Sequence, residues 1–172
     1  MSTPLWAPWR MQYIERNAEK KPDEGCFFCE HAKDASKFRE NLVLVVQEHA
    51  IALLNRYPFA PAHVLVAPTR HVPDIKDLSD EEYLAVMTLL RDARVRIERA
   101  VRCHGLNVGF NLGHHAGAGV PGHVHGHLVP RWSGDTSFMP VIADVRVIPE
   151  ALDQTWEKLN VAFADVPGTK AP

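Results

Sequence analysis

His123-Val124-His125-Gly126-His127-Leu128-Val129-Pro130 is the stretch that decides how this chain folds. Successive side chains of an extended strand point to opposite faces, so His123, His125 and His127 share one face while Val124, Gly126 and Leu128 share the other. Upstream, Leu106 to Leu112 alternates as a second strand, and the glycine-rich segment from Gly113 to Gly122 joins the two. Leu42 to Gln47 and Ile51 to Asn55 are short runs rich in valine, leucine and isoleucine, separated in the manner of a hairpin, and a further strand follows the turn Tyr57-Pro58-Phe59-Ala60-Pro61 at His63 to Ala67. Ser79 with Glu82 reads as a capping box before Tyr83, Val86, Met87, Leu90, Ile97 and Val101 at helical spacing, with Gly105 as the stop. A last amphipathic helix is expected from Pro149, carrying Leu152, Trp156, Leu159 and Phe163, followed by a loose tail over 165 to 172. The expectation is an α+β fold: an antiparallel five-stranded sheet in meander order with two helices. One domain is expected over 1–172, made of an N-terminal arm (1–40) with a cysteine pair, a core (41–140), and a C-terminal helix and tail (141–172).

The bulk composition narrows the function classes. At 172 residues, 46% apolar and 23% charged, the chain has the make-up of a soluble globular protein. A formal charge of -2 gives no broad basic field of the kind that long nucleic acids require, whereas a small anionic substrate needs only a few local donors. No apolar run approaches the roughly 18 residues of a membrane span. Pro4, Pro8 and Arg10 interrupt the region where a signal peptide would be unbroken, so a cytoplasmic protein is expected. Three cysteines, two of them in Cys26-Phe27-Phe28-Cys29, do not make a secreted disulfide framework; a metal clip or inert thiols remain open.

Three readings of the aligned histidines are available. A solvent-facing ladder is argued against by the apolar opposite face and the preceding glycine loop. In a second reading all three imidazoles bind one catalytic zinc, but same-face neighbours on a strand stand about 6.6 Å apart. Two of them reach one ion comfortably and three only with bending. The third is nucleophilic catalysis: a neutral imidazole attacks phosphorus near pH 7, while neighbouring imidazoles hold its tautomer or protonate a leaving oxygen. This reading also accounts for the loop, because four glycines among Gly113 to Gly122 let backbone N–H groups approach phosphate oxygens.

The segment Gly105 to Arg131, ending in His-Val-His-Gly-His-Leu-Val-Pro-Arg, resembles the signature of the histidine-triad family. Ala52-Leu53-Leu54-Asn55-Arg56-Tyr57-Pro58, His63-Val64-Leu65-Val66 and Arg70-His71-Val72 resemble that family's upstream half, and the likeness spans about residues 26 to 140. Trp6-Ala7-Pro8-Trp9-Arg10 and Val129-Pro130-Arg131-Trp132-Ser133-Gly134-Asp135-Thr136-Ser137-Phe138-Met139 are similar to the bacterial branch that includes diadenosine tetraphosphate phosphorylases. The resemblance implies a nucleotidyl transferase or hydrolase that cleaves dinucleoside polyphosphates or related nucleotide conjugates; the alternatives are a zinc-dependent hydrolase that uses the histidines as ligands and a non-catalytic nucleotide-binding module. It implies His125 as the nucleophile that takes up the nucleotidyl group, His127 at the leaving oxygen and His123 in support. It places Asn55 against the ribose hydroxyls, and Asn111, Gly117 and Gly119 beside the phosphates. Two departures stand out: Ala118, Gly119, Val120 and Pro121 occupy loop positions where the family often has Gln or Ser, and Gly126 replaces a bulkier apolar residue, as in the sugar-1-phosphate uridylyltransferase branch.

For the cysteine pair, one C-x-x-C supplies two ligands where a structural zinc site takes four. The resemblance implies that His71 and His123 complete the set with Cys26 and Cys29, giving a structural zinc not required for the chemistry; inert or redox thiols are the alternative. It also implies a homodimer. Trp6, Trp9 and Trp132 are too apolar to leave exposed and are expected to cover a partner subunit or the mouth of the site. Cys103 is expected to be a packing residue. His31, His49, His104, His114 and His115 are expected in ordinary surface or capping roles.

Overall fold

The computed structural model describes residues 25–135 and 150–171. The blocks Trp6 to Arg10 and Thr136 to Met139, and the helix start expected at Pro149, lie outside the described residues. Valine- and leucine-rich runs form β1 (Val43–Val46), β2 (Ala50–Leu54) and β3 (Val64–Pro68), and the two later strands are β4 (Gly105–Phe110) and β5 (Gly126–Arg131). All neighbours pair antiparallel, as expected of an α+β fold with a five-stranded sheet. The order is β1-β2-β3-β5-β4, so the meander holds only for the first three strands; β5 returns to lie between β3 and β4. That insertion puts the histidine-bearing strand inside the sheet.

β2 and β3 are buried on both faces. Ala52, Leu54, Val64 and Val66 pack toward the two long helices, α2 (Asp80–Val101) and α3 (Leu152–Ala162). Ile51, Leu53, Leu65 and Ala67 pack on the other face, against Phe28 and Phe38. Phe28 belongs to α1 (Phe27–His31), a single turn in the arm for which the sequence showed no periodicity.

The capping box at α2 is present: Ser79 Oγ accepts from Glu82 N–H at 3.2 Å, and the Glu82 carboxylate accepts from Ser79 N–H at 2.8 Å. Arg70, just after β3, clamps both oxygens of that carboxylate at 2.6 Å, which ties the helix start to the sheet. The far end differs from expectation. Arg102, in the left-handed region with φ 51°, terminates the helix, and Gly105 opens β4 instead of capping α2. α3 begins at Leu152 and buries Trp156 and Leu159, and Trp156 Nε1–H donates to the Val43 carbonyl at 3.1 Å. The tail is not loose. Thr169 exchanges both backbone hydrogen bonds with Val46, at 2.9 and 2.7 Å, and so pairs the outer edge of β1. An unpaired edge is a liability that a covering segment removes. The opposite edge, β4, has no further strand paired to it among the described residues, and Val108 on it is half exposed. No helix among the described residues is long and apolar enough to cross a membrane.

Candidate active site and metal centre

The site grows from β5. Gly126, His127 and Leu128 pair with Val66, Leu65 and Val64, so His127 shares a face with Leu65, the face covered by Phe28. Leu128 points into the α2 side. A Cβ on Gly126 would lie 3.1 Å from the Phe110 ring and 3.2 Å from Leu90, so the missing side chain lets α2 pack close to the sheet directly behind the triad. The alternation holds for His127, Gly126 and Leu128, but β5 begins at Gly126, and His123 and His125 precede the ladder. Pro68 is the reason. It has no N–H with which to continue pairing, and its carbonyl accepts instead from His123 Nε2–H at 2.8 Å, while Val124 N–H turns to the Val72 carbonyl at 2.7 Å.

Hydrogen bonding fixes which nitrogen of each ring carries the proton. His125 Nδ1 lies 2.8 Å from the His123 carbonyl, which only accepts; the proton is therefore on Nδ1 and the Nε2 lone pair is left for other use. His127 has the opposite arrangement, set by His63, a fully buried residue in phase with Leu65 on the triad face. Asn55 Nδ2 and Phe59 N–H both approach His63 Nδ1 at 3.2 Å, and both can only donate, so His63 carries its proton on Nε2. That proton is given to His127 Nδ1 at 3.0 Å, which leaves His127 with N–H on Nε2, a buried atom with no partner among the described residues. Burial is the first cause of lowered pKa in all three triad rings, to about 4 for His123 and His127 and downward for His125. All three are neutral near pH 7. A lone pair on His125 and a proton on His127, with ring centroids 4.9 Å apart, thus stand side by side.

His123 faces elsewhere. With its Nε2 proton held by Pro68, its Nδ1 lone pair lies 3.2 Å from Cys26 Sγ and 3.6 Å from Cys29 Sγ, and His71 Nδ1 lies 3.4 Å from Cys29 Sγ. The four ligand atoms fall within 4.8 Å of one another, whereas those of a tetrahedral zinc site are separated by about 3.3–3.8 Å. Two thiols, two imidazoles and a carbonyl behind the buried imidazole make a donor set that suits zinc, so this cluster can bind a metal ion. Burial and then the adjacent Cys26 push the Cys29 thiol up, against a smaller opposing pull from Lys33. The three triad rings do not converge on one point, and among the described residues no other His, Cys or acidic group forms such a cluster.

The remaining candidates are placed as follows. Asn55 is half buried, and both its polar atoms are engaged: Oδ1 accepts from Tyr57 N–H at 2.9 Å and Nδ2 faces His63. Asn111 follows β4 directly and its side chain is unbonded among the described residues. Gly117 and Gly119 are exposed in the loop, where Gly113 and Gly117 take φ of 80° and 87°, values that favour glycine. Phe59 stacks on His63, with centroids 5.0 Å apart. Sequence reasoning missed His63 and Phe28; the phase of His63 with Leu65 was the available signal for the first. Arg131 and Asp135 pair with each other at 2.6 Å.

Residues 37–134 match the HIT domain model. The chain belongs to the HIT domain family. Within it, the chain is 36% identical over 166 residues to an AP-4-A phosphorylase of Mycobacterium tuberculosis, covering 95% of this chain and 85% of that one. It is 41% identical over 86 residues to an asymmetrical bis(5'-nucleosyl)-tetraphosphatase of Schizosaccharomyces pombe, covering 50% of this HIT chain and 47% of the relative. A zinc-bound histidine triad family protein from Mycobacterium smegmatis superposes with a TM-score of 0.65 at 24% identity, over 83% of this chain and 95% of that structure, which shows the shared fold.

Proposed function

We propose that this HIT protein is a nucleotidyl transferase or hydrolase that cleaves dinucleoside polyphosphates or related nucleotide conjugates through a covalent nucleotidyl-His125 intermediate. One observation carries the reading: on rings with centroids 4.9 Å apart, His125 keeps a lone pair on Nε2 and His127 keeps a proton there. The Nε2 of His125 attacks the α-phosphorus, a P–N bond forms and the P–O bond to the leaving group breaks. His127 Nε2–H donates to the departing oxygen. Phosphate, or water that gives up a proton to solvent, then attacks the same phosphorus, the P–N bond breaks and His125 is restored. His123 supports the nucleophile through its carbonyl. Asn55 borders the ribose while bracing His63, and Asn111 with the backbone at Gly117 and Gly119 receives the phosphates. The names of the Mycobacterium tuberculosis and Schizosaccharomyces pombe relatives support this substrate class.

Zinc at Cys26, Cys29, His71 and His123 supplies structure when bound and takes no direct part in bond breaking. Reduced thiols in that set match a cytoplasmic location. The β4 edge, unpaired among the described residues and carrying exposed Val108, and Tyr83, Leu84 and Met87 exposed on α2, support a homodimer. The partner molecule is a small nucleotide; the net charge of -2 offers no field for long nucleic acid.

His125→Ala is expected to abolish turnover of diadenosine tetraphosphate with the circular dichroism spectrum unchanged, and α-labelled substrate is expected to leave an acid-labile, base-stable label on the parent only. A variant with the parent's rate overturns the assignment. ADP plus ATP in the presence of phosphate identifies phosphorolysis; AMP plus ATP identifies hydrolysis.

A further inference from the structure

The metal cluster and the nucleophile share parts. His123 presents Nδ1 to the thiols, and its own carbonyl holds the Nδ1 proton of His125 at 2.8 Å. Cys26 and Cys29 flank Phe28, a fully buried ring whose centroid is 4.9 Å from that of His123 and 5.1 Å from that of His125. His71, beside Cys29, abuts the end of the glycine loop: a Cβ on Gly122 would sit 3.2 Å from His71 Nε2. Each member of the cluster is therefore attached to a group that fixes either His125 or the loop leading to it.

We propose that a metal ion held by Cys26, Cys29, His71 and His123 positions the nucleophile, by pinning the His123 carbonyl and the Phe28 ring between which the His125 imidazole is clamped. The inference rests on His125 being the nucleophile and adds Phe28 as a positioning residue. Two torsions govern an imidazole: the hydrogen bond to His123 sets the ring plane, and the Phe28 wall closes the way to another rotamer. α1, which carries the wall, has five residues, too few to hold itself as a helix. Its attachment to His123 runs through sulfur–nitrogen contacts of 3.2–3.6 Å, which are weak as thiol hydrogen bonds. Coordination by a metal replaces those contacts with bonds of far greater strength. Misplacing an attacking atom by about 1 Å costs on the order of 100-fold in rate.

The test compares the full chain loaded with zinc, the same protein after chelation, and Phe28→Leu loaded with zinc. The readouts are metal content, circular dichroism, the imidazole Nδ1–H proton resonance of His125 (identified by its loss in His125→Ala), and the single-turnover rate of nucleotidyl transfer. Chelation is expected to leave the sheet and helices folded, to bring the His125 Nδ1–H into fast exchange with water, and to slow transfer about 10- to 100-fold. KM is expected to change less than about threefold, since nucleotide binding is not what is lost. Phe28→Leu is expected to keep its metal and show the same two losses. A sharp, protected Nδ1–H and a full transfer rate in the chelated protein overturn the proposal, because the cluster then only braces the fold. Full rate in metal-bound Phe28→Leu overturns it as well, and decides the matter should chelation unfold the chain. Turnover surviving in His125→Ala would instead strike at the proposed function, since the exchange of the His125 proton is read without any catalysis.

Discussion

Replacing His127 with alanine removes a hydrogen-bond donor, not a charge, and the size of the loss follows from that. Burial, with the neighbouring His125 second, lowers the His127 pKa to about 4, so at pH 7 only about one ring in a thousand is protonated. On the proposed mechanism, the group that meets the leaving oxygen is a neutral Nε2–H, oriented from behind by His63 and without a partner among the described residues. A preorganised donor of this kind, aimed at charge that develops in the transition state, is worth about 2.7–4 kcal/mol, or 10²–10³ in rate. The full loss applies only where the departing oxygen cannot carry its own charge. In a series of nucleotidyl esters with graded leaving groups, His127→Ala is expected to lower kcat/KM by about 10²–10³ for an alkyl leaving group. For a nitrophenyl group the loss is expected to stay under about tenfold, so the plot of log rate against leaving-group pKa steepens. His127→Gln, which keeps an N–H donor, is expected to recover part of the loss on the poor leaving groups. Equal losses across the series would refute the reasoning and move His127 from the leaving oxygen to support of the fold.

Gly126→Val forces methyl groups against Phe110 and Leu90, where even a Cβ is 3.1–3.2 Å away; it is expected to cost about 1–3 kcal/mol, a fall of about 2–12 °C in Tm by calorimetry. Arg70→Met tests the clamp on α2. The Glu82 carboxyl is held at about 2, below its ordinary 4.5, first by Arg70 and then by Ser79 N–H. A carboxyl lowered in the folded state adds stability above its unfolded pKa and loses it as pH falls through the folded value. The parent is therefore expected to be more stable than Arg70→Met in urea at neutral pH, with the gap closing between pH 4.5 and about 2. Val108→Lys places a charge on the β4 edge, which is unpaired among the described residues, and is expected to turn the proposed dimer into a monomer by light scattering; a dimer that persists would place the interface elsewhere.

The strands were legible because their residues are β-branched or aliphatic and bounded by turn residues, and α2 was legible at its start because Ser79 and Glu82 form a reciprocal pair. What alternation does not encode is which strands are neighbours. Nothing in 105–131 says that β5 turns back beside β3, and that placement sets the triad against Leu65 and Phe28. Nor does it encode where pairing stops. Pro68 ends the ladder, so His123 and His125 leave the strand that the spacing extends through them. The α2 stop was misplaced because Arg102 accepts a left-handed backbone that glycine would take at less cost. The tail was misjudged because its order comes from the unpaired edge of β1 and not from its own sequence. The Cys26, Cys29, His71 and His123 set, drawn from the family resemblance, does come together in space, across 97 residues from Cys26 to His123.

The two histidines assigned to the chemistry are the same residue type two positions apart, yet they offer opposite things, and no pattern of side chains along the chain distinguishes them. The difference lies behind each ring. His125 has a backbone carbonyl at its Nδ1, an acceptor, so the proton is drawn inward and Nε2 keeps its lone pair. His127 has the N–H of His63 at its Nδ1, a donor, so the proton is driven outward to Nε2. Reversing the assignment requires reversing the backing groups, and neither can be changed locally. The carbonyl belongs to His123, whose ring is held by Pro68 and faces the thiols, and the polarity of His63 is set by Asn55 Nδ2 and the main-chain N–H of Phe59. Labelled-nitrogen spectra that gave both rings the same tautomer in the intact protein would therefore contradict the structure at its centre, because one ring would then have a proton facing a proton or a lone pair facing a lone pair.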